Sequence, residues 1–398
     1  MKRRLLPILM TLVLVCALPI WAAFVTSGDV TNPLVCTAGA TLPDLQAKID
    51  AAADNATITL DSDTTITETL VITGKTLTLD LNGCTLRMTG TGSVLKVSGR
   101  ATLTITDSRP QNPHTGSYAG LPAGGVITGG KADRGGGILL GGGCTLKLTG
   151  GCITDCHAIG AGGGGVVLNG DTAILYMSGT ARIENCTAGE TWGANAIFNS
   201  GTMYADGGTV DGTVNNQGTI RLSEGAAAET VFNGTVYNRS AGTIKAGRYN
   251  ETVENRGTIT GGTFYGGVTD DGGTIEDGAY ETVKFNSDNG AQAKEEKVLR
   301  GQKVPNPAAP TKSGHTFIDW YLGVAPYDFD TPVTAPLTLT AKWEKVPSSG
   351  GYYYYPTTDA KTDDTKSSPK TADPGVALYA ALSILSLTGM VALNGKKR

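Results

Sequence analysis

The sequence predicts a mainly β protein, in which a parallel β-helix is followed by a small β module and a C-terminal transmembrane helix. Glycine makes up 56 of the 398 residues, without the three-residue period of collagen. Short β-branched runs closed by Gly, Asn or Asp recur between residues 56 and 280, and no amphipathic helical pattern separates them. These observations exclude collagen and a doubly wound α/β sheet, and they favour stacked strands.

Composition and charge limit the possible partners. With 40% hydrophobic residues the chain can bury a core, although only 17% of its residues are charged. The formal net charge is −4, but six cations lie at residues 2–4 and 396–398. Without them, 26 basic residues stand against 36 acidic ones, a net charge of −10. An acidic body argues against nucleic acid and anionic lipid as partners.

Residues 1–23 are predicted to form a secretory signal peptide. Three basic residues at 2–4 precede an apolar run over 5–21, and two alanines follow. A retained membrane anchor is the alternative, although two prolines interrupt the run. The mature chain is then expected to begin near residue 24.

Residues 41–54 are predicted to form a helix that covers the first coil. The segment begins with capping-box spacing and has apolar residues at Leu45, Ile49 and Ala53. An uncovered first coil would be an unpaired sheet edge. We therefore place the β-helix with its helical cap at residues 41–279.

Strand-like runs follow this helix, each bounded by turn residues. The clearest are 56–60, 76–81, 94–97, 102–106, 145–148 and 174–177.

Some of these segments repeat. Residues 135–140 return as 163–168 at an offset of 28, and residues 153–156 return as 183–186 at an offset of 30. Residues 126–129 resemble an earlier copy. Repeats of this length indicate a solenoid.

A shorter unit of the form Asx-x-Gly-Thr-apolar follows further along the chain. It begins at Asn199, Asn216, Asn255 and Asp271. A solenoid of short strands without helices is most simply a parallel β-helix, and about 20 residues per coil would give roughly eleven coils over about 50 Å. Corners that turn within one or two residues need a positive φ, which explains the recurring Gly and Asn.

This glycine-rich pattern resembles the pectin-lyase-like β-helices, particularly those of bacterial surface proteins. The resemblance covers about 240 residues, which include the runs and repeats above. It implies a right-handed coil.

Residues 280–345 are of another kind. The motifs that distinguish them are 280–285, 286–290, 301–305, 310–321, 327–330 and 337–343. They resemble the internalin B-type repeat of the Listeria-Bacteroides repeat family, which implies a small β-grasp-like module of extracellular bacterial proteins. Asp319 and His315 depart from the family pattern. Since so small a module needs its aromatic residues inside, four are predicted to be core rather than a ligand platform: Phe317, Trp320, Phe329 and Trp343.

Residues 346–367 are predicted to be a linker. They combine Pro, Ser and Gly with four tyrosines at 352–355 and a Thr/Asp/Lys/Ser stretch, without an apolar period. The tyrosines could form a ligand-stacking patch, but a stalk explains them better.

Residues 368–398 resemble a Gram-positive cell-wall sorting signal. A Pro-x-Thr motif precedes an apolar run of 18 residues at 376–393, long enough for a transmembrane helix of about 27 Å, and a basic tail follows. The positive-inside rule keeps that tail in the cytoplasm and the body outside. The departures from the common motif are Ser368 and Ala372.

The resemblance implies that this chain is a sortase substrate. A sortase cysteine would attack the carbonyl of Thr371, in the segment that contains Pro369 and Ala372, and transfer the chain to cell-wall peptide. A plain membrane tail of the same orientation is the alternative.

No catalytic site is predicted. Polysaccharide lyases and glycosidases need clustered carboxylates, which a solenoid would place at equivalent positions of successive coils. The aligned copies instead place Asp155 beside Asn185 and Thr154 beside Glu184. Turn chemistry explains two other acidic segments, Asp133-Arg134 and Asp270-Asp271.

Six cysteines remain after removal of the signal peptide: Cys36, Cys84, Cys144, Cys152, Cys156 and Cys186. Cys156 and Cys186 occupy equivalent corners of adjacent coils, so they could form a disulfide or a stack of free thiols. His157 adjoins Cys156, but no second ligand pair has zinc-site spacing, so no metal site is predicted.

The sequence therefore predicts an exported cell-envelope protein of a Gram-positive-type bacterium, anchored to wall or membrane with its body outside. We expect it to bind glycans, host proteins or other extracellular partners, without catalysis and without a cofactor. The alternative is a polysaccharide lyase or glycoside hydrolase on the β-helix.

Overall fold

The computed structural model describes residues 45–189 and 193–347, which form a mainly β body as predicted. Long parallel sheets, consistent with the predicted β-helix, occupy residues 56–275, which we call the solenoid. The predicted signal peptide, the sorting signal and nearly all of the linker lie outside the described residues. Within the described ranges, no helix is long and apolar enough to cross a membrane. The predicted span at 376–393 lies outside those ranges.

Sheet 1 has 17 strands, arranged as two rows that each advance by one strand per coil. Strands are numbered along the chain. The first row is β1 (Ala56–Thr59), β4 (Thr76–Asp80), β7 (Thr102–Thr106), β11 (Thr145–Leu148), β15 (Ile174–Glu184), β18 (Thr202–Val210), β20 (Thr219–Arg221), β23 (Thr243–Ile244), β26 (Thr258–Ile259) and β29 (Thr274–Ile275). The second row is β2 (Thr64–Ile66), β5 (Thr85–Met88), β8 (Val126–Thr128), β12 (Cys152–Thr154), the second halves of β15 and β18, β21 (Val231–Phe232), β24 (Arg248–Tyr249) and β27 (Thr263–Phe264).

Sheets 2 and 3 complete the coils. Sheet 2 is β3 (Leu70–Thr73), β6 (Leu95–Ser98), β10 (Ile138–Gly141), β14 (Val166–Asn169), β17 (Ile197–Asn199), β19 (Val214–Asn216), β22 (Val236–Asn238), β25 (Val253–Asn255) and β28 (Val268–Asp270). Sheet 3 is β9 (Lys131–Ala132), β13 (His157–Ala158) and β16 (Thr187–Ala188). A short 3-10 helix, Gly116–Tyr118, lies in the loop before β8.

The strand register confirms the offsets predicted from the repeats. Ile138 pairs with Val166, an offset of 28, and Ile153 pairs with Ile183, an offset of 30. The estimate of roughly eleven coils was slightly high, because over the described residues the first row of sheet 1 has ten strands and sheet 2 has nine. Coils in the first half are longer than 20 residues: the offset is 25 from Leu70 to Leu95, and it is 43 from Leu95 to Ile138, where a loop between β7 and β8 intervenes.

Inward side chains stack into ladders along the solenoid. One column consists of Leu77, Leu103, Leu146, Leu175, Met203, Ile220, Ile244 and Ile259, and all are buried. Burial of each such side chain contributes roughly 1.5–3 kcal/mol. Towards the end of the solenoid Phe232, Tyr249 and Phe264 stack with ring centroids 4.9 and 5.1 Å apart.

The helix α1 (Leu45–Ala51) covers the first coil, with Leu45 and Ile49 buried in the solenoid core. The Gln46 amide pairs with the edge strand β3: Val71 N donates to its Oε1 at 2.8 Å, and its Nε2 donates to Val71 O at 3.0 Å. The predicted extent to residue 54 is wrong, and Ala53 is exposed. The helix ends at Ala51, where Lys75 Nζ binds the carbonyls of Ile49, Asp50 and Ala52 at 2.9 to 3.0 Å.

The small module that follows closes the other end of the solenoid. Its five-stranded sheet is β30 (Tyr280–Asn286), β31 (Lys294–Leu299), β32 (His315–Leu322), β33 (Ala325–Pro326) and β34 (Leu337–Lys345), preceded by a 3-10 helix, Asp277–Ala279. Strand β34 pairs parallel with β30 and antiparallel with β32. Phe264 N donates to Arg300 O at 2.8 Å, and the Gln302 amide donates to the carbonyls of Phe264 and Tyr265. The last coil therefore has a glutamine partner in this module, Gln302, as the first coil has Gln46 in α1.

The aromatic residues of this module have the predicted core role. Trp320 is buried, and Phe317, Phe329 and Trp343 pack partly buried against the same cluster. Of the two departures from the family pattern, Asp319 lies at a bulge in β32 and accepts a hydrogen bond from Trp320 N at 2.8 Å. His315 Nδ1 lies 2.9 Å from Ser313 O. Both residues lie within β32, which pairs with β34 on either side of the bulge.

Candidate functional site

Two open clefts lie along the outer face of sheet 2 and meet at Arg134. The first has a volume of about 500 Å³ and is lined by residues that include Phe198, Gln217, Arg239 and Arg256. The second has a volume of about 470 Å³ and is lined by residues that include Lys96 and Asp133. We call the two clefts together the sheet-2 groove.

The strand alternation places the groove on the outer face. In β6, Leu95 and Val97 are buried while Lys96 between them is exposed, and in β17 Phe198 is the half-buried residue between buried Ile197 and Asn199. Successive strand residues point to opposite faces, so every outward residue of sheet 2 lies in one register. Side chains far apart in sequence are thereby brought along one surface.

A ladder of buried asparagines supports the second half of the groove. Each amide donates its Nδ2 to the Oδ1 of the next residue at 2.7 to 2.9 Å: Asn199 to Asn216, Asn216 to Asn238, Asn238 to Asn255, and Asn255 to Asp270. We call this the asparagine ladder. Oδ1 of Asn199 and of Asn255 also accepts the backbone N–H two residues on. Such a connected buried network fixes the corner rigidly.

The residue after each ladder position projects at this corner, and two of these residues are arginines. Arg239 lies over the Tyr237 ring, 4.9 Å from its centroid. Arg256 binds Asp271 through two nitrogens, at 2.7 and 2.5 Å. With Arg134 from an earlier coil, three guanidinium groups line the first cleft. None of the described residues that line this cleft is acidic.

The sequence did not predict this arrangement. Asp133-Arg134 was explained as part of a Gly-rich loop, and the arginines were not singled out. The available signal was the residue that follows each repeating Asx, which reads Ser, Gln, Arg and Arg in successive coils. The repeat starting at Asp271 was misaligned: Asp270 pairs with Asn255, because the last turn is one residue longer.

The other acidic residues lie where the sequence placed them. Thr154 pairs with Glu184 in the register of β12 and β15. Asp155 and Asn185 each have a φ of +50°, which places both in turns. Within the described residues, no group of three or more Asp, Glu, His or Cys side chains could hold a metal ion.

Four of the five cysteines within the described residues are free. Cys144, Cys152, Cys156 and Cys186 are buried thiols, whereas Cys84 is disulfide-bonded. The alternative of a Cys156–Cys186 bridge is therefore wrong, and the two form a thiol stack. A hydrogen bond with Cys156, and then burial, raises the pKa of the Cys186 thiol. Burial likewise raises the pKa of Cys152.

A second outward row lies on sheet 1, where Tyr176 and Tyr204 stack with centroids 4.4 Å apart. Lys147 lies over the Tyr176 ring at 5.9 Å and Arg221 over the Tyr204 ring at 5.4 Å. Both faces of the pair are covered by neighbours, so the rings are poorly placed to stack on a ligand. We interpret this row as cation–π packing between coils.

Part of the chain has relatives among known proteins. Residues 282–342 match the Listeria-Bacteroides repeat domain. A segment of 67 residues is 39% identical to a protein of Evansella cellulosilytica named "Putative membrane protein" and covers 16% of this chain and 10% of that one. A protein of the same organism named "Putative Gly-rich membrane protein" is also 39% identical over 67 residues, which cover 16% of this chain and 8% of that one.

These matches are confined to a small part of each protein. The chain spans about a tenth of the length of the two relatives. No solved structure matches the chain. A surface-associated repeat and relatives named as membrane proteins fit a protein of the cell surface. The predicted sortase residues Pro369, Thr371 and Ala372 lie outside the described residues.

Proposed function

We propose that this chain is an envelope-anchored adhesion protein whose solenoid binds extracellular glycans or glycosylated host partners along the sheet-2 groove. The observation that carries the proposal is an open groove that crosses successive coils and combines Phe198 with amide, hydroxyl and guanidinium groups. Ligand sites typically contain a small number of polar groups that converge beside an aromatic residue. We also propose that the solenoid winds as a right-handed, pectin-lyase-like β-helix, as the sequence resemblance implies.

Binding is favoured over catalysis because the described residues that line the two clefts include no pair of carboxylates. Glycosidases use a pair of carboxyl groups across the scissile bond. Among the described lining residues, the first cleft has no carboxylate and the second has Asp133 alone. Incubation of the purified chain with pectins, alginate and host glycans should release no sugar, and release would favour the lyase or hydrolase alternative.

The test of adhesion is direct. The purified full chain, kept in mild detergent, should bind a subset of a glycan array, mucin or host cells, and the Phe198→Ala variant should bind it more weakly. The matched control is Tyr265→Ala, an exposed aromatic residue on another part of the solenoid. Absence of binding to all of these surfaces would contradict the proposal and would favour a passive envelope spacer.

Anchoring is proposed separately, with sortase and cell-wall peptide as partners and the C-terminal helix as the membrane segment. Its support is the order of motif, apolar run and basic tail at residues 368–398. Thr371→Ala should shift the protein from the wall fraction to the membrane fraction. An unchanged distribution would indicate a simple membrane anchor.

A further inference from the structure

We propose that the first cleft of the sheet-2 groove binds a sulfate or phosphate ester carried by an extracellular glycan. The inference rests on the proposed glycan-binding function and adds the chemical class of the ligand. Three arginines from separate segments, Arg134, Arg239 and Arg256, line this cleft. These arginines stand out in an acidic body, whose net charge is −10 when the six terminal cations are left out.

Arg239 and Arg256 lie on consecutive coils. They follow Asn238 and Asn255, which pair in register, so their backbones are about 4.8 Å apart. Like charges at directly opposed positions of neighbouring strands are destabilising. Asp271 pairs with Arg256 on the side away from Arg239 in the coil order. An anion that contacts both guanidinium groups would place a negative charge between them.

The number of donors favours an ester oxyanion over a carboxylate. Each guanidinium carries five N–H donors, of which Arg256 gives those of Nε and one Nη to Asp271, and the Gln217 amide and the Ser240 hydroxyl line the same cleft. A sulfate or phosphate monoester offers three terminal oxygens to these donors, whereas a carboxylate offers two. Arginine forks bind tetrahedral oxyanions with two parallel hydrogen bonds.

The first cleft is also preorganised. The asparagine ladder fixes the backbone immediately before Gln217, Arg239 and Arg256 through hydrogen bonds between successive coils. Tyr237 supports the Arg239 guanidinium from one side. A preorganised site loses less conformational freedom when a ligand binds.

The experiment measures binding of four oligosaccharide probes to the full chain in detergent. One probe carries sulfate esters, one carries phosphate monoesters, one carries only carboxylates, and one is neutral. The chain should bind the sulfated or the phosphorylated probe at least about tenfold more tightly than the carboxylated one, and the comparison of the first two identifies the ester.

Variants of the cleft test the assignment to these residues. Arg239→Ala and Arg256→Ala should each weaken binding of the preferred ester about tenfold, which is the scale of one charged hydrogen bond. Arg239→Lys and Arg256→Lys keep the charge but lose the planar fork, so each should lose only part of this affinity. The matched control is Arg248→Ala, which removes an exposed arginine from sheet 1 and should leave binding unchanged.

Three results would overturn the inference. One is equal or tighter binding of the carboxylated probe, and another is equal weakening by Arg248→Ala and the cleft variants. The third is binding of neutral glycans alone, unaffected by the arginine variants, which would leave the proposed adhesion function standing. If none of the probes and none of the array glycans binds, both the inference and the proposed function fail.

Discussion

The two halves of the solenoid build the same column of side chains from different chemistry. In register, the column reads Ile72, Val97, Leu140 and Leu168 in the first half, and Asn199, Asn216, Asn238, Asn255 and Asp270 in the second. All except Asp270 are buried. The fold therefore determines that these positions point inward. It does not determine whether they are filled by packed aliphatic side chains or by hydrogen-bonded amides.

Coil length explains the difference. Neighbouring ladder positions in the second half are 15 to 22 residues apart, whereas Leu140 and Leu168 are separated by 28. A shorter coil must turn at once, and the asparagine Oδ1 accepts the N–H of the turn, as at Gly201 and Gly257. The longer coil turns through Gly141 to Gly143 after Leu140 and keeps this aliphatic residue at the corner. Tight winding thus demands a polar ladder.

The largest effect is expected from breaking the asparagine ladder at its centre. Asn216→Leu removes the acceptor of Asn199 and the donor to Asn238, both buried. Each group left without its partner costs about 1–3 kcal/mol, so the free energy of unfolding should fall by about 4 kcal/mol. Chemical denaturation measures this. A loss below about 1 kcal/mol would show that the ladder is not what holds the tight coils.

The matched change in the aliphatic half is Leu140→Ala. Leu140 is fully buried between Val97 and Leu168, so truncation leaves a cavity. A loss of about 3 kcal/mol is expected, within the range for buried leucines. Conservative variants should separate the two halves. Leu140→Met restores volume and should retain most of the free energy of unfolding that Leu140→Ala loses. Asn216→Asp keeps the shape but not the donor and should not recover the stability that Asn216→Leu loses. Equal rescue in both halves would contradict the comparison.

The buried thiols make the first half lose stability from about pH 8.5, whereas no cysteine lies in residues 197–275. In the second half, burial raises the pKa of Tyr249, whose unfolded pKa is about 10, so its effect begins at higher pH. The folded pKa values of Cys152 and Cys186 are raised above the unfolded ones. Their stabilising effect is complete below the unfolded pKa of about 8.5 and is lost above it, by about 1.4 kcal/mol per pH unit for each thiol.

Denaturation at pH 8 and pH 9.5 tests this dependence. The wild-type chain should lose stability over the interval, and the double variant Cys152→Ala, Cys186→Ala should lose less. In the folded chain, reaction of a thiol reagent at pH 8 should be slow at Cys144, Cys152, Cys156 and Cys186, because all four thiols are buried. Rapid labelling at these four positions, mapped by mass spectrometry, would contradict their placement.

The sequence allowed the first half to be predicted better than the second. The offsets of 28 and 30 rest on long matching segments, so the register of Ile138 with Val166 could be found by alignment. In the second half the repeating unit is short, and one extra residue before Gly273 shifted the assignment from Asp270 to Asp271. The arginine cleft could not be predicted, because coil winding alone brings Arg134 and Arg256 to one surface.

The smallest effect is expected at the end of the asparagine ladder. Asp270 accepts hydrogen bonds from Asn255 Nδ2 at 2.9 Å and from Gly273 N at 3.1 Å, both through Oδ1. Asp270→Asn retains that oxygen, so the free energy of unfolding should change by no more than about 0.5 kcal/mol. Asp270→Leu removes it and should cost about 1–2 kcal/mol, less than Asn216→Leu, because Asp270 is exposed and water can replace the lost acceptor. If Asp270→Asn were as damaging as Asp270→Leu, the negative charge rather than the hydrogen bond would be what terminates the ladder.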